Sequence, residues 1–195
     1  MCFKRHIGVL LLVPLFSYLF CIRNPVAYEI IRPYQIAFRR DGKICVMDDY
    51  GTNLFQLNKE WGFEQTHAWS PDGSKIVFST NRDLYFEIYV TNVSGTILQR
   101  LTNEWWANSH SPCWSPDGSR IVYVSNKDGY PKIYIMDSDG QNNKRLTDNS
   151  VKESDPHWSP DGSKIAFVGF EYSCYEIFIV NPDGSHLKKI THNEE

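Results

Sequence analysis

An all-β chain of repeated antiparallel sheets is predicted by three observations. The pentapeptide Trp-Ser-Pro-Asp-Gly occurs at Trp69, Trp114 and Trp158, in steps of 45 and 44 residues, and a fixed period of this size marks a repeat architecture. The runs in between, such as Ile121-Val-Tyr-Val-Ser125 and Ile133-Tyr-Ile-Met136, are β-branched and aromatic, too short for helices, and bounded by turn residues. These runs are also apolar on both faces, with Ile133 and Ile135 on one and Tyr134 and Met136 on the other. Each sheet therefore needs a neighbour on either side. Sheets of this kind stacked face to face around an axis make a β-propeller, here of about four four-stranded antiparallel blades, incomplete or small, after an N-terminal hydrophobic segment.

The chain opens with basic Lys4-Arg5-His6, and residues 7–22 carry no charge. That is the pattern of an export signal. The apolar run is short for a membrane span, which needs about 20 residues, and Pro14 interrupts it. Residues 1–23 therefore read as a signal peptide or a membrane anchor, and the protein as exported, periplasmic or extracytoplasmic. Residues 24–195 form the propeller.

The first unit, about 27–57, departs from the others. Ile36-Ala-Phe38 matches Ile76-Val-Phe78, and counting back from it puts Glu29-Ile-Ile-Arg-Pro33 where the signature should stand. Its second hairpin is tight, at Arg40-Asp41-Gly42. From Ile44 onward it shares one frame with its siblings: Gly51, Gly95, Gly140 and Gly184 each lie seven residues after Ile44, Ile88, Ile133 and Ile177. Leu57, Leu101, Leu146 and Ile190 lie thirteen after the same isoleucines.

The second, third and fourth units run over about 66–102, 111–147 and 155–191. In the third, Ser115-Pro116-Asp117-Gly118 joins His110–Trp114 to Arg120–Ser125: proline presets φ, aspartate accepts backbone amides, and glycine takes a positive φ. Asp137-Ser-Asp139-Gly140 turns the chain again, between Lys132–Met136 and a last strand ending at Leu146-Thr147. A tryptophan that recurs once per unit is a packing residue.

These residues resemble the repeat of TolB-type, WD-like β-propellers: WSPDGSK followed by β-branched and aromatic residues, then IY or IF, then DG, then LT or IT. The resemblance spans roughly residues 34 to 192. It implies an extracytoplasmic propeller that docks an envelope partner in its axial opening. The chain departs from that family in having no α/β domain before the repeats and in having few blades, since families with this repeat resemble six- or seven-bladed rings. Four blades can close as a small ring, pair with a second copy to complete a larger one, or be a truncated piece of a longer propeller. An open arc that needs a partner or a second copy is the expectation, because unclosed blade faces would expose apolar patches that soluble monomers avoid.

Composition excludes several functions. A net charge of −3 without a basic run argues against nucleic acid. Of five cysteines, two fall in the export segment; Cys45, Cys113 and Cys174 form neither a disulfide framework nor a zinc site. Cys45, at the place of Tyr89, Tyr134 and Phe178, reads as a small core residue. Asp137-Ser-Asp139-Gly-Gln-Asn142 resembles the start of a calcium loop but lacks the closing glutamate, so turn chemistry accounts for it. His67, His110 and His157 precede their tryptophans by two, four and one residues, and strand alternation points His157 away from the other two. No Gly-x-Ser-x-Gly elbow and no phosphate-binding glycine loop occur. No cofactor and no metal are expected.

In a meander both signature turns fall on one end of the blade. The other end collects 58–65, 103–110 and 148–154 with 81–86, 126–131 and 170–175, and loops on a rigid scaffold are the usual binding surface. Trp61, Trp105, Trp106, His110, Tyr130, Tyr172 and Tyr175 fall there and are the candidate partner-binding residues, although aromatic rings also plug gaps between blades. The expected function is a non-enzymatic binding or scaffold module for a protein, peptide or cell-envelope polymer. The alternatives are a metal-assisted enzyme such as a propeller polysaccharide lyase, or a propeller fragment.

Overall fold

The structure, a computed structural model, describes residues 35–57 and 62–192. The hydrophobic segment 7–22, the stretch 29–33 and Trp61 lie outside the described residues. All regular structure among the described residues is strand, in four antiparallel sheets that follow one another along the chain. Blade I holds β1 (Gln35–Arg40), β2 (Lys43–Asp48) and β3 (Phe55–Gln56). Blade II is β4 (Glu64–Trp69), β5 (Lys75–Asp83), β6 (Tyr85–Asn92) and β7 (Leu98–Arg100). Blade III is β8 (Ser109–Trp114), β9 (Arg120–Ser125), β10 (Lys132–Asp137) and β11 (Lys144–Arg145). Blade IV is β12 (Lys152–Trp158), β13 (Ile165–Glu171), β14 (Cys174–Val180) and β15 (Lys188–Lys189). Among the described residues blade I holds three strands, and in the repeat frame β1 is the second strand of its unit, so the place of the first lies outside the described residues.

The signature turn closes as its residue types require. Gly118 donates its amide to the Ser115 carbonyl at 2.9 Å, with φ +72°. Asp117 accepts from the Ser115 hydroxyl and from the Ser119 amide at 3.0 Å, while the Arg120 amide donates back to the Ser115 Oγ at 2.9 Å. Asp72 and Asp161 repeat the arrangement with Ser70, Ser74, Ser159 and Ser163. These hydrogen bonds hold the carboxyls of Asp117 and Asp161 down to about 2. The Asp137–Asn142 stretch is likewise a turn, in which Asp139 accepts the Gln141 amide and Asp137 accepts from the Asn142 side chain.

Blades pack through two different faces. The trailing face of blade III (Val122, Val124, Ile133, Ile135, Leu146) meets the leading face of blade IV (Ile165, Phe167, Phe178, Val180) in one core. Blade II presents Val77, Ile88, Val90 and Leu101 to Trp114, Ile121, Tyr123 and Tyr134 of blade III, and blade I presents Ile44, Val46 and Leu57 to Ile76, Phe78 and Tyr89 of blade II. Small branched aliphatics thus face tryptophan and larger rings, which fills the wedge between twisted sheets. Cys45 is buried, as a core residue should be.

A second contact recurs at the periphery. Gly95, Gly140 and Gly184, all at positive φ, sit so close to the carbonyls of Leu57, Leu101 and Leu146 of the preceding blade that an added Cβ would lie 2.1, 3.2 and 3.0 Å from the oxygen. Glycine is needed there for both the conformation and the approach.

Two boundaries differ from expectation. The inner strands begin two or three residues earlier than the repeat pattern implies, at Glu64, Ser109 and Lys152, because each carries a β-bulge that breaks the alternation on which the pattern rests. Residues 81–86 and 170–175, expected as loops, instead extend β5 and β6 to a tip at Leu84 and β13 and β14 to a tip at Tyr172-Ser173.

Candidate functional site

The loop end of the blades presents aromatic rings to solvent. Trp105, Trp106, Tyr130, Tyr172 and Tyr175 are each more than half exposed; none is a plug between blades. Trp105 and Trp106 form a T-shaped pair, 5.4 Å between centroids and 82° between planes. Their loop is braced from below. The Ala107 amide donates to the Glu104 carbonyl at 3.3 Å, Asn108 and Asn126 exchange two bonds across the neighbouring loop, and the Trp106 indole donates to the Lys127 carbonyl at 3.4 Å. Lys127 reaches Glu104 at 3.1 Å and lies over the Tyr134 ring at 4.5 Å. The Tyr134 hydroxyl donates to Asp128, and burial together with that carboxylate pushes it well above the usual phenol range. A ring pair on so braced a loop loses little entropy when a partner covers it.

Tyr130 lies in the neighbouring β9–β10 loop of blade III, which also carries Lys127 and Asp128, with Lys152 over its ring at 5.9 Å. Tyr172 stands at the tip of the β13–β14 hairpin, where Glu171 pairs with Cys174. Tyr172 and Ser173 both have positive φ, 47° and 68°. Two-residue hairpins want that conformation, but normally from Asn and Gly, so a tyrosine held there stores backbone strain while projecting its ring outward. Leu84, fully outward at φ 88°, does the same at the blade II tip.

Two predicted residues sit differently from the rest. Tyr175 lies on β14, packed on Phe170 at 5.0 Å, and belongs to the open trailing face of blade IV. His110 is on the inner strand β8, its Nδ1 3.1 Å from the Ser111 hydroxyl, and burial lowers its pKa against the opposing pull of Asp155. His67 contacts the Ala37 carbonyl at 3.2 Å and is likewise held low by burial, while His157 is exposed. Among the described residues no three His, Cys, Asp or Glu side chains are grouped to hold a metal ion.

Sequence reasoning missed Phe63 and Leu84, both exposed on this end. Phe63 was discoverable as an aromatic in the 58–65 loop; Leu84 was hidden by its place in a longer hairpin.

A model of the TolB beta propeller domain matches residues 35–195. The chain belongs to the TolB β-propeller domain family. Among solved structures it is similar to a TolB from Agrobacterium tumefaciens, at 26% identity and a TM-score of 0.70 over 80% of this chain and 60% of that one. It is similar also to TolB from Acinetobacter baumannii, at 26% identity and a TM-score of 0.67 over 76% of this chain and 37% of the other. This TolB-family chain therefore spans less than two thirds of either relative. An oligogalacturonate lyase in complex with manganese shares the fold at 14% identity and a TM-score of 0.62, covering 80% of this chain and 50% of the lyase. No curated protein sequence matches the chain.

Proposed function

We propose that this TolB-family propeller is an exported, non-enzymatic binding module that takes a protein or peptide segment on its aromatic loop end. The observation that carries this reading is the braced Trp105–Trp106 pair, flanked by Tyr130 and by the strained, outward tips at Leu84 and Tyr172. Aromatic anchors on a rigid frame dominate the energetics of protein interfaces. Mixed charge around them, Glu104, Lys127, Asp128 and Lys152, suits peptide groups rather than a polyanion. The inner-strand histidines His67 and His110 are drawn into local hydrogen bonds, which supports binding rather than metal-assisted chemistry. The basic start and uncharged 7–22 stretch support export.

Peptides selected from a random display library against the full chain test the reading. Their binding, followed by the anisotropy of a dye on the peptide, should weaken about 30-fold or more in Trp105→Ala/Trp106→Ala, as for interface hot spots. It should be unchanged in Ile97→Ser on the opposite end. Equal binding by the double variant would overturn the proposal.

A further inference from the structure

Blade IV ends the described array with its trailing face uncovered. Ile177 is 46% exposed where Ile133, at the same place in blade III, is 0% exposed, and Ile190 is 45% exposed where Leu146 is 6%. Among the described residues blade I is open in the complementary sense. Ile36 on its leading face is 42% exposed, against 0% for Ile76, Ile121 and Ile165. Gly51, which matches Gly95, Gly140 and Gly184, has nothing within 4 Å of its Cβ position. Three leucine carbonyls are each seated against a glycine turn of the next blade; one glycine turn, at Gly51, and one seat, at Ile190, remain, at opposite ends of the array.

Buried polar groups show that the blades alternate in type. In blade I the Ile44 amide donates to Glu64 of blade II, and in blade III the Ile133 amide donates to Glu153 of blade IV at 2.8 Å. Lys43 and Lys132 precede those isoleucines. Blades II and IV are built otherwise. Ile88 and Ile177 donate instead to Thr102 and Thr191 of their own blade, at 2.8 and 2.9 Å, and these threonines donate to Glu87 and Glu176. Arg100 pairs with Glu87 at 2.9 Å as Lys189 pairs with Glu176 at 3.4 Å. Every one of these correspondences is 89 residues apart, so the repeat is a pair of blades. The trailing edge of blade II is covered by blade III, which offers Ser109 where blades II and IV carry Glu64 and Glu153. Blade IV has the edge of blade II, and blade I shares with blade III the lysine and the amide donor of the trailing edge.

We infer that the trailing face of blade IV docks the leading side of blade I of a second copy of this chain, repeating the blade II–blade III junction between molecules. The contact is heterologous, blade IV of one copy on blade I of the next. It rests on the blade ends alone and stands or falls independently of the aromatic loop end.

The junction fixes which residues meet. At the blade II–III contact Gln99 donates to the Asp139 carbonyl at 3.1 Å; the counterparts are Lys188 and Tyr50, both exposed. The full chain carrying Tyr50→Cys and Lys188→Cys, oxidised in the cells that express it, should run as a covalent dimer or larger on a non-reducing gel, which neither single variant does. Ile177→Asp, at a site open to solvent within one copy, should cut that product about tenfold or more, as loss of a buried aliphatic contact does. Gly51→Asn, which keeps the positive φ but adds a side chain at the seat, should do the same. Absence of an inter-copy product, a bond within a single chain, or a product insensitive to both substitutions would overturn the inference.

Discussion

Ile133 and Ile177 occupy one position of the repeat, so alanine at each measures what a covering blade contributes. Ile133 is fully buried between blades III and IV. Replacing it removes three carbons, about 2.4 kcal/mol at roughly 0.8 kcal/mol each, and leaves a cavity between two sheets, so the total should be about 3 to 4 kcal/mol. Ile177 is 46% exposed. Only about half of the transfer term applies, roughly 1 kcal/mol, and no closed cavity forms where the face opens to solvent. Urea unfolding of dilute protein should therefore separate the two variants by about 2 to 3 kcal/mol in extrapolated stability. If Ile177→Ala costs as much as Ile133→Ala at every dilution, blade IV is covered within one chain and the assignment of its open face is wrong. If the gap narrows as concentration rises, a second copy is supplying the cover.

Alanine at Gly95 should destabilise more than alanine at Gly51, by about 1 kcal/mol or more, because both sit at positive φ but only Gly95 abuts a carbonyl; thermal melts of the two variants compare them directly, and equal losses would mean the blade contact carries no weight. Burial pushes the Glu87 and Glu153 carboxyls up despite their hydroxyl donors. Each then keeps a proton in the folded chain that the unfolded chain has released, so stability declines as pH rises from the ordinary glutamate range through the raised value, and Glu153→Gln should flatten that decline in urea midpoints. Asp117 and Asp161, held at about 2, act in the opposite sense: their stabilisation is present above the ordinary aspartate range and fades as pH falls toward about 2. Asp117→Asn should blunt the acid limb, and an unchanged limb would remove the turn carboxyls from the account.

Much of this fold is written plainly in the residues. β9 runs over Arg120–Ser125 as its β-branched sequence implies, and the Ser-Pro-Asp-Gly turns close through the serine and aspartate groups that favour them. The inner strands are less legible. Their starts are polar (Glu64, Ser109, Lys152), and Ser111 and Asp155 adopt positive φ in bulges that shift alternation by one. The candidate rings were found because loop position follows from meander direction, yet Tyr175 shares a face with Phe170 and Ile177 because strand pairing continues to Cys174. The pairing of blades escaped a reading keyed to tryptophan, since Glu64 and Glu153 differ from Ser109 at a position that carries no turn or pattern signal.

The alternation of Lys43 and Lys132 with Glu87 and Glu176 sets a parity rule. Deleting blade III would bring the Glu87 edge against Glu153, two sequestered carboxylates competing for the single Thr102 hydroxyl, whereas deleting two blades would leave every junction chemically intact. Lineages carrying this unit should gain or lose modules only in twos, and rings assembled from it should hold even numbers of them.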